Sequence, residues 1–218
     1  MNKKSEGCPR RECAKRYMIL YTIFTNSIKS GVRTIKTLII NGSPRKNGDS
    51  MALINELLKY LNGEVKIVHT YYDNIKPCLD CRFCWANNGC CIKDNMQEIY
   101  KLLNEVDNVI IASPIYFSEL TGKLLSFASR LQTYYARKFI RHDKEFMLKE
   151  KKGLLILTGG GDGTPKPAIS RANIIFKYIN AKLVGSVFSL NTNMKPSKDD
   201  VEAIEKLKEY ALELNRIN

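Results

Sequence analysis

Five of the chain's seven cysteines lie in residues 77–91, which read PCLDCRFCWANNGCC. Neighbours this close in sequence cannot join distant elements, so the pattern does not predict a secreted disulfide framework. It favours a metal or redox site in a reducing cytosol. Spacings of two residues also let one turn of the chain direct successive thiolates at a common centre. The thiols concerned are those of Cys78, Cys81, Cys84, Cys90 and Cys91.

Four interpretations of this segment are open from the sequence. In the first, a compact run of four thiolates ligates a [4Fe–4S] cluster. Its ligands would be Cys78, Cys81, Cys84 and Cys90, which leaves Cys91 spare. In the second, four thiolates hold zinc, which usually takes them as two separated pairs. In the third, a Cys-x-x-Cys dithiol forms a reversible disulfide. In the fourth, the cysteines belong to a packed loop without metal.

A second candidate site is the segment NGSPRKNGDS, residues 41–50, between a strand-like run and a helix-like run. Its glycines permit close backbone approach, and the free N–H groups of a helix N-terminus bind anions. Ser43, Asn47 and Ser50 add short polar groups, and Arg45 adds a cation. The segment lacks the GxGxxG and triphosphate-binding patterns. It therefore predicts a site for one terminal phosphate, as on a mononucleotide, although an ordinary strand-to-helix turn uses the same residue types.

The elements that must position these residues alternate along the chain. Apolar runs rich in Ile, Val and Leu predict five strands, at 37–41, 65–71, 108–114, 153–161 and 182–190. Helical patterns lie between them, at 50–61, 94–105, 119–138, 166–180 and 198–215. Asp94 and Ser197 are the expected caps of the second and last helices. Such alternation predicts an α/β fold, a doubly wound parallel sheet with helices on both faces.

Ligands of doubly wound sheets bind beyond the carboxyl ends of the strands. The segments that follow the first, third and fourth strands are residues 42–50, 114–120 and 158–165, and we expect them to meet at one edge. SPIYFSEL offers flat aromatic surface after a strand-ending proline. TGGGDGT offers bare backbone N–H groups. The cysteines lie in an oversized loop, residues 72–93, of a length that is usually functional or disordered.

Composition and charge indicate one globular domain after a basic leader. Hydrophobic residues make up 44% of the 218 residues and charged residues 26%. Residues 1–36 hold nine Lys/Arg and two Asp/Glu, so about half of the net charge of +13 lies there. We interpret them as a disordered N-terminal extension, with the folded domain at 37–218. The chain has neither a nucleic-acid-binding motif nor an apolar run of about 18 residues, so we expect a cytoplasmic protein that binds neither nucleic acid nor membrane.

Four stretches, in this order and spacing, resemble the NAD(P)H-dependent FMN reductase family of the flavodoxin-like superfamily. They are LIINGSPRKNGDSMALI, IKPCLDCRFCWANNGCCIKDNMQEIY, VIIASPIYFSELTGKLLSFASRLQ and the LTGGG strand end. The cysteine-bearing branch of that family includes the iron–sulfur flavoproteins. The resemblance covers residues 37 to about 215. It implies the strand order 2-1-3-4-5, non-covalent FMN at the strand ends, and a homodimer or higher homo-oligomer.

The resemblance also implies a role for individual residues. Those that would hold the FMN phosphate are Ser43, Arg45, Asn47 and Ser50. Those that would flank the isoalloxazine ring are Pro114, Ile115, Tyr116 and Phe117. Those that would line its pyrimidine edge are Gly159, Gly160 and Asp162. The family often has Asp-Arg where this chain has Ser129-Arg130, which leaves open a salt bridge that would order the third helix or a dimer contact.

The implied activity is transfer of electrons to FMN from NAD(P)H, as a hydride, or from a ferredoxin-type donor. The electrons then pass to a small molecule or a ferredoxin-type partner, through a [4Fe–4S] cluster if the cysteines hold one. Such transfer needs alignment and exclusion of water more than an acid or base. The sequence agrees, because His69 and His142 stand alone and no Gly-x-Ser-x-Gly elbow occurs. The basic run at 137–152 is interpreted as a solvated helix end, or as a grip for the 2′-phosphate of NADPH.

Two functions of other classes fit the same residues. One is a flavodoxin-like electron carrier or binding module without turnover of its own. The other is a zinc-stabilised interaction protein.

Overall fold

A computed structural model of the chain describes residues 33–161 and 163–217. The chain separates into two units, Met1–Thr34 and Ile35–Asn218, and the fold below is that of the second unit. The extension predicted at residues 1–36 lies almost wholly outside the described residues, and so does Asp162.

Five parallel strands form one sheet in the order β2-β1-β3-β4-β5, as expected. Their bounds are β1 Lys36–Asn41, β2 Glu64–His69, β3 Asn108–Pro114, β4 Lys151–Thr158 and β5 Ala181–Ser189. Every residue of β3 and β4 is buried. Continuous runs of Val, Ile and Leu suit such positions because both faces of a central parallel strand are covered.

Helices cover both faces of the sheet, and alternate strand residues enter two separate apolar clusters. The helices are α1 Asp49–Leu58, α2 Phe83–Ala86, α3 Met96–Glu105, α4 Gly122–Ser129, α5 Gln132–Tyr135, α6 Lys166–Tyr178 and α7 Val201–Leu214. A π-helical turn, Ala136–Ile140, follows α5, and a 3₁₀ turn, Ser197–Asp199, precedes α7. The first cluster contains side chains of α3, α4 and α6, and the second contains those of α1 and α7.

The single helix predicted at 119–138 is wrong, because the chain breaks near Arg130. The Arg130 carbonyl accepts a hydrogen bond from the Tyr100 hydroxyl at 2.8 Å. The amides of Arg130 and Leu131 donate to residues three positions earlier, which tightens the turn. The break separates α4 from α5 and turns the Arg130 side chain into the protein.

The cap predicted for the last helix is also wrong. Asp200, rather than Ser197, accepts from the Ala203 N–H at 3.2 Å, and Ser197 is buried in the 3₁₀ turn. None of the helices in the described ranges combines the length and the apolar character that a bilayer crossing needs.

Candidate functional site

Three segments meet where β1, β3 and β4 end, and hydrogen bonds join them. The Gly42 N–H donates to the Ala112 carbonyl at 2.7 Å, which ties the first segment to β3. The Thr121 hydroxyl donates to the Gly42 carbonyl at 2.7 Å. The Ile115 N–H donates to the Thr158 carbonyl at 2.8 Å, which ties the second segment to β4. The expectation that they share one edge of the sheet is therefore confirmed.

The loop before α1 is an ordered turn that leaves backbone donors free. The Ser43 N–H donates to the Asn41 carboxamide at 2.9 Å, and the Arg45 N–H donates to the Ser43 hydroxyl at 3.2 Å. The N–H groups of Lys46 and Asn47 have no hydrogen-bond partner among the described residues, whereas the Gly48 N–H closes the hydrogen-bonded turn over residues 46 and 47. They adjoin the N-terminus of α1, where the helix dipole favours an anion.

Asp49, the one acidic residue in the first turn of α1, would repel an anion if it were unpaired. The Arg45 guanidinium donates to its Oδ2 at 2.8 Å, and the Ser197 N–H donates to its Oδ1 at 3.1 Å. Both carboxylate oxygens are therefore occupied. Arg45 neutralises Asp49 here and, with a side chain 65% exposed, does not point into a closed site.

Not every residue expected at the phosphate faces the loop. The Ser50 hydroxyl is buried and lies 2.8 Å from the Thr158 hydroxyl, so it joins α1 to the end of β4. Ser43 is buried beneath the loop, and Asn47 is exposed at its rim. The sequence interpretation missed Tyr72, whose hydroxyl donates to the Pro44 carbonyl and whose ring lies 4.9 Å from the Lys46 ammonium.

The second segment forms a tight turn with aromatic residues at its tip. Tyr116 and Glu119 exchange two backbone hydrogen bonds of 2.9–3.0 Å. The two residues between them, Phe117 and Ser118, have φ of 51° and 64°. Positive φ at both central positions defines a type I′ turn, which ordinarily uses Asn and Gly. A phenylalanine in this conformation is strained, and such strain is concentrated at functional sites.

The aromatic side chains of this turn leave the core, as their place after the strand-ending proline predicts. Phe117 is fully exposed, at 105% of its reference area, and Tyr116 is 45% exposed. Pro114 is buried, and Ile115 is partly buried. The alternative, that both aromatics pack in the core, is therefore wrong.

The third segment offers further backbone donors. The Gly159 N–H is taken by the Ser189 carbonyl at 2.9 Å, so this glycine has no free N–H. The N–H groups of Gly160 and Gly161 have no partner in the described part of the chain. A Cβ on Gly160 would lie 2.9 Å from the carboxamide of the exposed Asn193 side chain, which would have to move to make room for it.

All five cysteines of the long loop line one small cavity of about 40 Å³. Phe83, Trp85 and Arg130 complete much of its wall. The Sγ atoms of Cys81 and Cys91 lie 3.3 Å apart. Among the residues that the structure describes, no three His, Cys, Asp or Glu side chains converge as a ready metal site. The four predicted ligands therefore line one cavity, but their side chains do not converge on one point. Cys91, which was expected to be spare, contacts Cys81.

The thiols of the loop differ in acidity. The Phe83 N–H, followed by the Cys91 thiol, stabilises the Cys81 thiolate and lowers its pKa. The same contact raises the pKa of Cys91, which acts as the donor. Burial raises the pKa of Cys84. Cys81 is therefore the first of these three thiols to ionise, and the thiolate is the form that binds metals and attacks disulfides.

One buried ion pair joins the two ends of the cysteine loop. The Arg130 guanidinium donates to the Lys76 carbonyl at 2.9 Å, before the first cysteine, and to the Asp94 carboxylate at 2.7 Å, after the last. Both charged side chains are fully buried. Asp94 also accepts from the Lys76 N–H at 2.9 Å and the Met96 N–H at 3.1 Å, so it caps the start of α3 while it holds the loop.

The salt bridge that the sequence left open thus has Asp94 as its acidic partner. Burial by itself would raise the pKa of Asp94, but the hydrogen bonds from Arg130 and the Lys76 N–H outweigh it and lower the pKa. Ser129 takes another role, because its hydroxyl accepts from the Cys78 N–H at 3.0 Å. Both residues of the pair Ser129-Arg130 therefore position the cysteine loop.

The basic run at 137–152 is solvated in part: Lys138, His142 and Lys144 are exposed, as predicted, whereas other basic residues of the run are engaged. Arg137 pairs with Asp143 at 2.6 Å, and Arg141 donates to the Asn88 carboxamide at 2.5 Å, which holds the outer part of the cysteine loop. Lys151 and Lys152 lie within β4 and are buried. The Lys151 ammonium donates to the Ile179 carbonyl at the end of α6. The Lys152 ammonium donates to the Glu213 and Arg216 carbonyls at the end of α7.

The strand order and the helices on both faces of the sheet define a flavodoxin-like fold. Solved structures agree on the fold: an FMN-dependent NADH-azoreductase from Bacillus anthracis, in complex with FMN, has a TM-score of 0.59 at 16% identity, covering 84% of this chain and 100% of that one. An NAD(P)H:quinone oxidoreductase from Methanothermobacter marburgensis has a TM-score of 0.64 at 12% identity, covering 85% and 100%.

The family described as NADPH-dependent FMN reductase matches residues 35–195, and the chain belongs to that family. An iron–sulfur flavoprotein of Archaeoglobus fulgidus is 33% identical over 146 residues, which are 66% of this chain and 63% of the relative. An iron–sulfur flavoprotein of Methanosarcina thermophila is 30% identical over 124 residues, 56% of this chain and 61% of the relative. These matches span less than two thirds of either relative's length.

Proposed function

We propose that this chain is an FMN-dependent NAD(P)H oxidoreductase. The observation that carries the proposal is the set of unpartnered backbone donors at one sheet edge, before α1 and at Gly160 and Gly161. The chemistry that FMN supplies when bound is acceptance of a hydride from a nicotinamide and release of electrons to an acceptor. Membership of the NADPH-dependent FMN reductase family supports this assignment.

The residues of the edge have distinct tasks in this proposal. The N–H groups of Lys46 and Asn47 bind the phosphate, and the Arg45–Asp49 pair removes a negative charge that would oppose it. Tyr116 and Phe117 cover the flavin ring and exclude water from it. The glycine N–H groups donate to the pyrimidine edge, where negative charge accumulates on reduction.

A comparison of FMN with riboflavin tests the phosphate site directly. Riboflavin carries the same ring without the phosphate, and two hydrogen bonds to a charged group correspond to about 100-fold in affinity. Quenching of flavin fluorescence by the apoprotein should therefore give a dissociation constant at least about 100-fold lower for FMN. Equal affinity would refute the phosphate assignment.

Rapid mixing with NADH and with NADPH then separates an enzyme from a carrier. If the chain is a reductase, at least one nicotinamide bleaches the bound flavin under anaerobic conditions. Bound FMN that neither nicotinamide reduces would establish the electron-carrier alternative. A colourless protein that takes up no FMN, but holds one zinc ion, would favour the interaction protein.

We further propose that the cysteine loop holds a [4Fe–4S] cluster that passes single electrons to a ferredoxin-type protein. The expected ligands are Cys78, Cys81, Cys84 and Cys90. Support comes from five thiols around one cavity and from relatives named iron–sulfur flavoproteins. Four thiolates are the ligands that a [4Fe–4S] cluster takes. Because no three of these side chains converge among the described residues, binding of a cluster requires the thiols to turn towards the cavity.

Anaerobic purification with iron and zinc analysis tests this second assignment. The expected result is about four irons per chain with broad charge-transfer absorption. One zinc ion, or no metal after reconstitution with iron and sulfide, would contradict it. We also propose a cytoplasmic location, because cysteines this close in sequence suit a metal or redox site in a reducing compartment.

A further inference from the structure

The thiol of Cys91, which the cluster assignment leaves spare, is in contact with the thiol of Cys81. The Sγ atoms of Cys81 and Cys91 lie 3.3 Å apart, and a disulfide bond joins sulfurs about 2.0 Å apart. Cys81 is exposed and Cys91 is half-buried, so solutes reach the pair. We infer that Cys81 and Cys91 form a reversible disulfide in the protein without a cluster.

The backbone on each side presents the two thiols differently. The Gln97 carboxamide donates to the Cys90 carbonyl at 3.1 Å and to the Ile92 carbonyl at 2.7 Å, on either side of Cys91. Cys91 is therefore held in place from α3. Cys81 lies between Asp80 and Arg82, whose φ values of 47° and 55° form an exposed, strained bend. A Cys91 thiol held in place and a Cys81 thiol exposed to solvent suit a disulfide bond that forms and is reduced again.

The chemistry requires an oxidant, for which we name a low-molecular-weight disulfide. The Cys81 thiolate attacks one of its sulfurs, forms a mixed disulfide and releases one thiolate. The Cys91 thiolate then attacks the Cys81 sulfur, and the second thiolate leaves. Two protein thiols are oxidised by two electrons in total, and the reagent takes up those electrons and two protons as two thiols. A dithiol reductant reverses both steps.

The disulfide would compete with the cluster, a consequence that rests on the proposed function. Each thiolate of a four-thiolate cluster binds its own iron. A disulfide-bonded Cys81 has no thiolate to offer, so the set of Cys78, Cys81, Cys84 and Cys90 loses one ligand. The oxidised chain should then take up iron poorly until it is reduced.

Peptide mapping tests the disulfide itself. Trypsin cleavage after Arg82 and Lys93 separates a peptide with Cys78 and Cys81 from a peptide with Cys84, Cys90 and Cys91. The apoprotein, oxidised with glutathione disulfide and alkylated, should yield these two peptides linked, and dithiothreitol should separate them. The link should disappear in C81S and C91S but persist in the matched variant C84S. A link that survives in C91S, or no link in the wild type, would overturn the inference.

Iron uptake tests the competition. Reconstitution should load the oxidised wild type at least about tenfold less than the reduced protein, because one ligand is removed. In C91S the mixed disulfide has no second thiol to resolve it, so the Cys81 peptide of the oxidised variant should carry one glutathione, where that of the oxidised wild type carries none. Equal loading of the two wild-type forms would overturn the competition. Loading of neither form would refute the cluster proposed above, and the peptide map alone would then decide the disulfide.

Discussion

Arg130 is among the largest fully buried side chains in the described part of the protein, and it carries a charge. Its guanidinium contacts the beginning and the end of the cysteine loop, residues that lie 54 and 36 positions away in sequence. Its Nε has no hydrogen-bond partner among the described residues. The negative charge of the paired Asp94 carboxylate therefore stabilises the buried guanidinium more than any other contact of Arg130 does.

Removal of that carboxylate should destabilise the protein strongly. Asp94→Asn leaves Arg130 buried without its counter-charge, and the expected loss is about 3–5 kcal/mol in the free energy of unfolding, measured with urea on the apoprotein. The matched control is Glu98→Gln, which breaks the exposed contact with Lys66 at 3.8 Å. That change should stay within about 0.5 kcal/mol. Equal effects of the two variants would show that burial of the pair is unimportant.

Lys151 gives the stability of the protein a pH dependence. Burial lowers its pKa to about 8 in the folded protein, against about 10.4 in the unfolded chain. Between these values the unfolded chain binds the extra proton, so folding becomes more favourable as pH rises through this window. Below pH 8 both states are protonated and the contribution is constant.

The comparison with Lys151→Met isolates this contribution. The free energy of unfolding of the wild type, minus that of the variant, should rise by about 3 kcal/mol between pH 8 and pH 10.5. Denaturant unfolding at several pH values measures the difference, in which other titrating groups cancel. A flat difference would contradict the assignment.

At the scale of elements, the turn from Tyr116 to Glu119 is destabilised by positive φ at Phe117 and Ser118, and it exposes the Phe117 side chain. Replacement of Phe117-Ser118 by Asn-Gly supplies the residues that a type I′ turn prefers. The double variant should raise the free energy of unfolding by about 1–2 kcal/mol and should weaken FMN binding, because the proposed ring cover is lost. Thermal unfolding and fluorescence titration measure the two effects.

His142→Gly serves as the control for this turn. His142 also has positive φ, at 50°, and it lies outside the segments assigned to FMN. The variant should gain stability without a change in FMN affinity. If both variants leave the affinity unchanged, Phe117 does not contact the flavin.

Element boundaries also show where the sequence interpretation loses accuracy. β4 begins at Lys151, two residues before the predicted strand, since a hydrophobicity pattern excludes lysines. Both lysines are nevertheless buried because helix C-termini on the two faces of the sheet supply carbonyl partners. Those partners come from residues more than 25 positions away, which no local pattern contains.

At the scale of the whole molecule, we propose that the chain forms a homodimer through exposed aromatic residues near the cysteine loop. Tyr135 and Phe139 stack with ring centroids 5.1 Å apart and are 38% and 49% exposed. Phe139→Glu should shift sedimentation from dimer to monomer, because a charge is expensive to bury in an apolar interface. The matched control is Leu212→Glu on α7, an exposed apolar residue of the other sheet face, which should stay dimeric. A monomeric wild type would contradict the proposal.

The sequence by itself determined the strand order through family resemblance, the parallel sheet through its apolar runs, and the edge at which three loops meet. The sheet and its ligand-binding edge follow from local signals: strand periodicity, a strand-ending proline and glycine-rich turns. Only the tertiary structure decided which groups in those loops are engaged. Arg45 neutralises Asp49, the Ser50 hydroxyl joins Thr158, and Cys81 approaches Cys91. Side-chain pairing depends on how each loop folds back on its neighbours, and spacing along the chain does not encode that distance.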